Sequence, residues 1–371
     1  MSNLKNIVSE MLRNDRNSWW LFPFFLISIL YRGIISLRNC SYDSGLFTVR
    51  KLDCKIISVG NITVGGTGKT PIVIMLANLL REKGYRPVIL SRGYGGKKKG
   101  RVNIVSDGGN VFMKPDEAGD EPVLIAKSAR NIPVVTGKNR YLTGKFAIEH
   151  FGADVLILDD AFQHRSLFRD IDIVLLDEKR PLGNGFIIPR GELREPTNAL
   201  GRAEIIVKTG DRSQESGDRS QWSGISDQGI EAGCRMSGTH MFEAYRRPVA
   251  LLRGDAGDIY PLDYLHGKKI CAFAGIAKPD SFKKTIASVG GEVVAFLSFP
   301  DHHVYTREDL DKIMKTVSES SAQIILTTEK DGIKLIDFPD LLRDIYQLRI
   351  EMEILPSQKK FEDILLERIQ T

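Results

Sequence analysis

Lys55-Ile56-Ile57-Ser58-Val59-Gly60-Asn61-Ile62-Thr63-Val64-Gly65-Gly66-Thr67-Gly68-Lys69-Thr70-Pro71 is the stretch that decides how this chain is read. Its apolar, β-branched opening predicts a buried strand. A glycine-rich loop follows and closes on Gly68-Lys69-Thr70. Ile72 to Leu80 is mostly apolar and free of glycine and proline, which predicts a helix. Pro71 falls in the first helical turn, where a missing N–H costs nothing. Strand, loop and helix together make a phosphate cradle. The amides of Thr63, Val64, Gly65, Gly66, Thr67 and Gly68 and the helix N-terminus point at anionic oxygens. Lys69 reaches the β- and γ-phosphates of a nucleoside triphosphate, and the Thr70 hydroxyl is placed for Mg²⁺. The strict pattern has glycine where Thr63 stands; Gly65 and Gly66 supply the flexibility instead.

A second signal lies in Asp154-Val155-Leu156-Ile157-Leu158-Asp159-Asp160-Ala161-Phe162-Gln163-His164-Arg165. Four apolar residues predict a buried strand that delivers two carboxylates at its carboxyl end, where a nucleotide-linked Mg²⁺ is held in such folds. Adjacent strand residues face opposite ways, so Asp159 and Asp160 divide their roles.

Length and composition bound what surrounds these motifs. The chain has 371 residues, enough for roughly two or three domains. Apolar residues make up 42% and charged residues 27%, which places it among globular proteins with a buried core. A net charge of +5 suits an anionic substrate or membrane surface and does not call for nucleic acid. The four cysteines, Cys40, Cys54, Cys234 and Cys271, form no CxxC, which argues against a disulfide framework or a zinc knuckle and suits a reducing cytoplasm.

Near the N-terminus runs Trp19-Trp20-Leu21-Phe22-Pro23-Phe24-Phe25-Leu26-Ile27-Ser28-Ile29-Leu30-Tyr31, with Arg13 and Arg16 before it and Arg32 and Arg38 after. Its uncharged core is shorter than the ~20 residues of a spanning helix. Aromatics at one end and arginines on both flanks suit a helix in the bilayer interface. A helix of the soluble core and a short spanning anchor are the alternatives.

Strands are expected at Arg86–Ser91, Ile132–Val135, Ile171–Asp177 and Ala203–Thr209, with a helix through Arg140–Phe151. The first of these strands ends in Arg92-Gly93-Tyr94-Gly95-Gly96-Lys97-Lys98-Lys99, at the sheet edge where open α/β sheets bind ligands. Glu117-Ala118-Gly119-Asp120-Glu121-Pro122 opens an apolar helix, and its acids are explained as caps without any chemistry. Pro181 to Pro196 reads as a shaped loop, with Arg194 available to a phosphate. Residues 211–233 repeat Asp-Arg-Ser-Gln and read as a flexible insertion. Beyond it, strands at Lys269–Ile276, Val293–Phe296 and Gln323–Thr328 alternate with helices at Pro279–Val289 and Arg307–Ser318, which predicts a second, parallel α/β layer. Ligands of such pairs usually lie between the two domains.

With the cradle, the Asp159-Asp160-Ala161-Phe162-Gln163-His164-Arg165 string, Arg92-Gly93-Tyr94-Gly95, Gly119-Asp120-Glu121-Pro122, Leu193-Arg194-Glu195 and Asp301-His302 all present, the chain resembles the tetraacyldisaccharide 4'-kinase (lipid A 4'-kinase) family over nearly its whole length. The resemblance implies an α/β fold: a P-loop NTPase-like parallel sheet core with a second, smaller α/β domain and an N-terminal membrane-associated helix. The corresponding segments are 1–40 for the helix, 41–210 for the core, 211–233 for the insertion and 234–371 for the domain that closes the cleft. It further implies an ATP- and Mg²⁺-dependent enzyme at the cytoplasmic face of the inner membrane, acting on an acylated glucosamine disaccharide 1-phosphate, with no obligate protein partner. Asp120 and His302 are implied as a catalytic pair with Lys69; Thr70, Asp159, Asp160 and Glu195 as the metal set; Arg92, Tyr94, Gln163 and Arg194 as substrate contacts. From the residues alone, a nucleotide switch and a nucleotide-binding membrane scaffold are the competing readings. No Asn-Lys-x-Asp guanine loop is present, and Thr328-Glu329-Lys330-Asp331 is only superficially similar to one.

Overall fold

The computed structural model describes residues 21–98, 100–211, 238–254 and 258–370. Arg13, Arg16, Trp19, Trp20, Lys99, Cys234 and the insertion beyond Asp211 lie outside the described residues. Among the described residues thirteen strands form one sheet. They are β1 (Lys55–Asn61), β2 (Pro87–Ser91), β3 (Asn103–Ser106), β4 (Val134–Thr136), β5 (Val155–Asp159), β6 (Ile171–Asp177), β7 (Ile205–Asp211), β8 (His240–Arg253), β9 (Asp258–Tyr260), β10 (Lys269–Ala274), β11 (Glu292–Ser298), β12 (Ile324–Thr328) and β13 (Ile345–Leu355). Their order is β11-β10-β12-β13-β8-β7-β6-β1-β5-β2-β4-β3, with β9 alongside β8.

The centre of this sheet is parallel. β1 lies between β5 and β6, in register Val59↔Asp159 on one side and Val59↔Ile173 on the other. Strands buried on both faces carry no alternation of polar and apolar residues, and β1, β2, β5 and β6 read as nearly continuous apolar runs for that reason. The helix Lys69–Glu82 packs Ile72, Val73, Leu76, Ala77 and Leu80 onto the sheet, all without solvent exposure. Each such branched side chain contributes about 1.5–3 kcal/mol on burial. The chain leaves β1, runs through this helix and returns as β2 on the far side of β5. The loop after β1 and the end of β5 therefore meet at the carboxyl edge.

The carboxy-terminal strands do not form a separate layer, as the alternating pattern had led one to expect. They extend the same sheet. The joint is an antiparallel pair, β8 with β13, of 14 and 11 residues. β8 does not stand out as a strand in the sequence, because it carries Pro248 and the charged residues Glu243, Arg246 and Arg247. The ladder shifts register between Arg349 and Ile350, opposite Pro248. That irregularity accommodates a residue with no N–H to give.

The helix Phe22–Asp43 is arranged inside out. Its buried residues are Ser28, Ile35 and Ser41, while Phe22, Leu26, Ile27, Ile29, Leu30, Ile34 and Leu37 are exposed. The Ser28 hydroxyl donates to the Ile187 carbonyl at 2.8 Å and accepts the Arg190 amide at 2.9 Å, so the polar side is the one seated on the protein. Among the described residues no helix is long and apolar enough to cross a membrane.

Gly60 sets the spacing at the heart of the fold. A Cβ there would stand 2.6 Å from the Phe162 Cβ and 2.9 Å from its backbone nitrogen, neither of which can swing aside. Gly60→Ala is expected to lower unfolding free energy by about 1–3 kcal/mol, the usual cost of overpacking, measured by urea denaturation. An unchanged midpoint would show that the β1–Phe162 approach is looser than described.

Candidate active site

The glycine loop turns on Gly65, at φ 123°, and Gly68, at φ 79°. Both lie in the left-handed region that glycine enters without steric cost. Gly68 caps the helix Lys69–Glu82, so the first helical amides open toward the cleft. The front of the loop is fixed from outside. The Val64 amide donates to the Glu192 carbonyl at 2.7 Å, and the Arg194 amide to the Ile62 carbonyl at 2.7 Å. From the rear, Gln163 Nε2 donates to the Asn61 carbonyl at 2.9 Å, and Asn61 Nδ2 donates to Thr67 Oγ1 at 3.1 Å.

The two aspartates take different places, as strand geometry demands. Asp159 ends β5 and is buried, one oxygen accepting from Ser91 Oγ at 3.1 Å. Its Oδ1 is buried with no partner. Burial first, then the charge of Glu121, pushes its carboxyl up to about 7. Asp160 has turned out of the strand, at φ 50°. It sits 3.6 Å from Lys69 Nζ and receives Arg194 NH1 at 3.0 and 3.1 Å. Burial raises the Asp160 carboxyl, but Lys69 and Arg194 outweigh it and hold it below the ordinary range. Arg140, almost wholly buried, donates to the Asp159 carbonyl at 3.0 Å and stays cationic, though burial lowers it to about 10.

Asp120 is not a helix cap. It is the first residue of the helix Asp120–Ser128, whose N-cap is Gly119, and its side chain leaves the helix to accept from His302 Nδ1 at 3.1 Å. Gly119 has φ 95°, and a Cβ there would lie 2.2 Å from the Tyr94 carbonyl oxygen. Only glycine permits that approach, which fastens the Tyr94 loop beside Asp120. Lys334 Nζ stands 3.7 Å from the same carboxylate. Burial raises Asp120, and His302, Lys334 and Lys330 together bring it below the ordinary range. His302 follows β11 at φ 59°, a backbone state that costs a non-glycine residue about 1–3 kcal/mol and collects at functional sites. Lys330 Nζ completes the group, 3.1 Å from Asp301 and 3.4 Å from His302 Nε2. His303 turns the other way, onto Asp309 at 2.8 Å, and stacks on Phe299.

One cleft of about 1130 Å³ opens among these groups. It brings together Val64 to Thr70, Arg92, Tyr94, Asp120, Asp159, Asp160, Arg194 and His302. Thr63, Gln163 and Glu195 are not on its wall. Thr63 pairs with Leu193, and Gln163 holds the rear of the loop. Glu195 is wholly buried, with Arg38 at 3.2 Å on one oxygen and Asn39 at 3.1 Å and Arg202 at 2.9 Å on the other. Ser91, Arg140, Lys330 and Lys334 were not singled out in the sequence. Lys330 lies in Thr328-Glu329-Lys330-Asp331, whose place at the end of a strand was the available sign. Nothing local marks Ser91, Arg140 or Lys334.

The Tetraacyldisaccharide-1-P 4'-kinase family matches residues 17–370. The chain belongs to that family. It is a kinase of lipid A biosynthesis, with the tetraacyldisaccharide 4'-kinase activity. Among its relatives, the tetraacyldisaccharide 4'-kinase of Syntrophus aciditrophicus (strain SB) is 51% identical over 96% of this chain and 95% of its own length. That of Desulfatibacillum aliphaticivorans is 38% identical over 100% and 99%. The crystal structure of the Aquifex aeolicus family member in complex with ATP is 35% identical, with a TM-score of 0.74 over 94% of this chain and 98% of that one. The likeness extends through both halves of the sheet.

His302→Ala removes a hydrogen bond and a charge that lower Asp120. The Asp120 carboxyl is therefore expected to titrate at higher pH in this variant, followed by carboxyl-carbon NMR. A titration that does not move would show that the pair does not form in solution.

Proposed function

We propose that the cleft transfers the γ-phosphate of ATP to the 4'-hydroxyl of tetraacyldisaccharide 1-phosphate, giving lipid IVA, with Asp120 as the base. One observation carries this reading: Asp120 and His302, from opposite halves of the sheet, meet on the same cleft as the Lys69–Asp160 pair. A sugar hydroxyl is a poor nucleophile. Asp120 accepts its proton as the oxygen bonds to the γ-phosphorus and the bond to the β,γ-bridging oxygen breaks, leaving ADP. His302 orients the Asp120 carboxylate, and Lys69 and Arg194 neutralise phosphate charge. ATP is the donor in this reading because the Aquifex relative was crystallised with it, and the Gly65–Thr70 loop here has the form that cradles a triphosphate.

The residues fit Mg²⁺. Asp159 presents a buried oxygen with no partner, and Asp160 and Thr70 stand beside it on the cleft. Mg²⁺ is commonly held by one or two carboxylates together with substrate phosphates. Thr70, Asp159 and Asp160 would hold it, and it would supply neutralisation of phosphate charge. Glu195, whose oxygens are already taken, does not fit this set.

The lipid reaches the cleft past Arg92 and Tyr94, the latter 82% exposed. The outward apolar face of Phe22–Asp43 supports a peripheral seat on the cytoplasmic face of the inner membrane. Segments 41–210 and 234–371 act as two lobes that close on the substrates, since the proposed base and its partner come one from each.

The test is transfer of labelled phosphate from ATP to detergent-solubilised tetraacyldisaccharide 1-phosphate. Lys69→Ala is expected to abolish it; full activity would mean the cradle is misread. Asp120→Ala is expected to lower kcat by about 10²–10⁴-fold with nucleotide affinity little changed. Equal loss of both would contradict its role as base.

A further inference from the structure

The Phe22–Asp43 helix does more than rest on the protein. Its second half reaches Glu195, the residue next to Arg194. Arg38 NH2 lies 3.2 Å from Glu195 Oε1, and Asn39 Nδ2 lies 3.1 Å from Oε2. Arg202 NH2 closes the group at 2.9 Å from Oε2, with its guanidinium 4.4 Å over the Phe162 ring. The Glu195 side chain has no solvent exposure, while Arg38 keeps 30%. A buried carboxylate is retained only where its charge is met, and removing one partner leaves the rest costly.

The chain on either side of Glu195 is tied to the phosphate site. Just before it, the Arg194 amide binds the Ile62 carbonyl at 2.7 Å and the Arg194 guanidinium grips Asp160. Three residues before Glu195, the Glu192 carbonyl accepts the Val64 amide. Five residues before Glu195, Arg190 donates its amide to Ser28 of the helix. The segment 187–195 thus has the helix on one side and the glycine loop on the other.

We propose that Glu195, Arg38, Asn39 and Arg202 form a positioning cluster, through which the seating of the Phe22–Asp43 helix sets Arg194 on Asp160 and so sets the rate of phosphoryl transfer. The helix is then part of the active-site scaffold as well as a membrane contact. None of the four touches the reacting atoms; each acts through Arg194. The inference rests on the kinase reading above, and it replaces a metal-ligand role for Glu195 with a structural coupling.

The full chain in detergent–lipid mixed micelles, with labelled ATP, tests it. Wild type must transfer phosphate; absence of transfer would overturn the kinase reading itself. Arg38→Ala is expected to lower kcat about tenfold, the size of a lost charge-assisted hydrogen bond, with vesicle co-sedimentation unchanged. Arg38→Lys restores part of that rate. The Arg38→Ala/Arg194→Ala double variant is expected to be no slower than Arg194→Ala, because both changes break one chain of contacts. Glu195→Gln is expected to lower kcat with the Mg²⁺ concentration for half-maximal rate unchanged. The proposal is overturned if Arg38→Ala retains wild-type kcat, if its loss appears only as weaker vesicle binding or higher lipid KM, or if Glu195→Gln raises the Mg²⁺ requirement. If Glu195→Gln fails to fold, the half-exposed Arg38 variants decide alone.

Discussion

Everything in this molecule is arranged around the charge of Asp160. A carboxylate at the end of a buried strand, beside a second carboxylate, is costly unless cations meet it. Lys69 and Arg194 meet it here, at 3.6 and 3.0 Å. Each comes from a different structural commitment. Lys69 opens the helix after β1, and Arg194 belongs to a loop that is backbone-bonded to the front of the glycine loop. A neighbouring Asp159, held by Ser91 and left with one oxygen unpartnered, faces the same space. The fold thus holds these charges in place, and in the proposed reading such pre-organisation is where most of the benefit in phosphoryl transfer lies.

The second constraint is continuity of the sheet. Because β8 and β13 carry the hydrogen-bond ladder from one half to the other, the cleft wall is made by a single sheet with two sets of loops over it. His302 and Lys330 arrive from the far set, Asp120 and Tyr94 from the near set. Two positions in that assembly, Asp160 and His302, hold positive φ without being glycine. Strain of that kind persists only where surrounding contacts impose it. Asp160 is fixed by its ion pairs with Lys69 and Arg194, and His302 by its hydrogen bond to Asp120, and these supply the compensation.

The amino-terminal helix follows a third logic. Seating a polar side against the protein and turning Leu, Ile and Phe outward is unfavourable in water and favourable at a bilayer surface. Its polar side is used twice, at Ser28 and at the Arg38–Asn39 pair. The outward apolar helix and the glycine loop are therefore joined through one short segment, 187–195.

Much of this was legible in the sequence. The cradle, the Asp159–Asp160 strand end and most central strands are local patterns: apolar runs of strand length, glycine at turns, a lysine at a helix start. The string from Asp159 to Arg165 and the other shared motifs pointed to the family. The sequence by itself determined the phosphate-binding unit and the residue types that a kinase needs. Only the tertiary structure decided that the two halves share one sheet and that Glu195 is closed among Arg38, Asn39 and Arg202 rather than facing the cleft; it also supplied the geometry of the Asp120–His302 pair that the family resemblance implied. Those outcomes depend on which side chains meet across more than a hundred residues of chain, as Asn39 and Glu195 do at a separation of 156. No periodicity or spacing records such a meeting; it exists only once the sheet has set the distances.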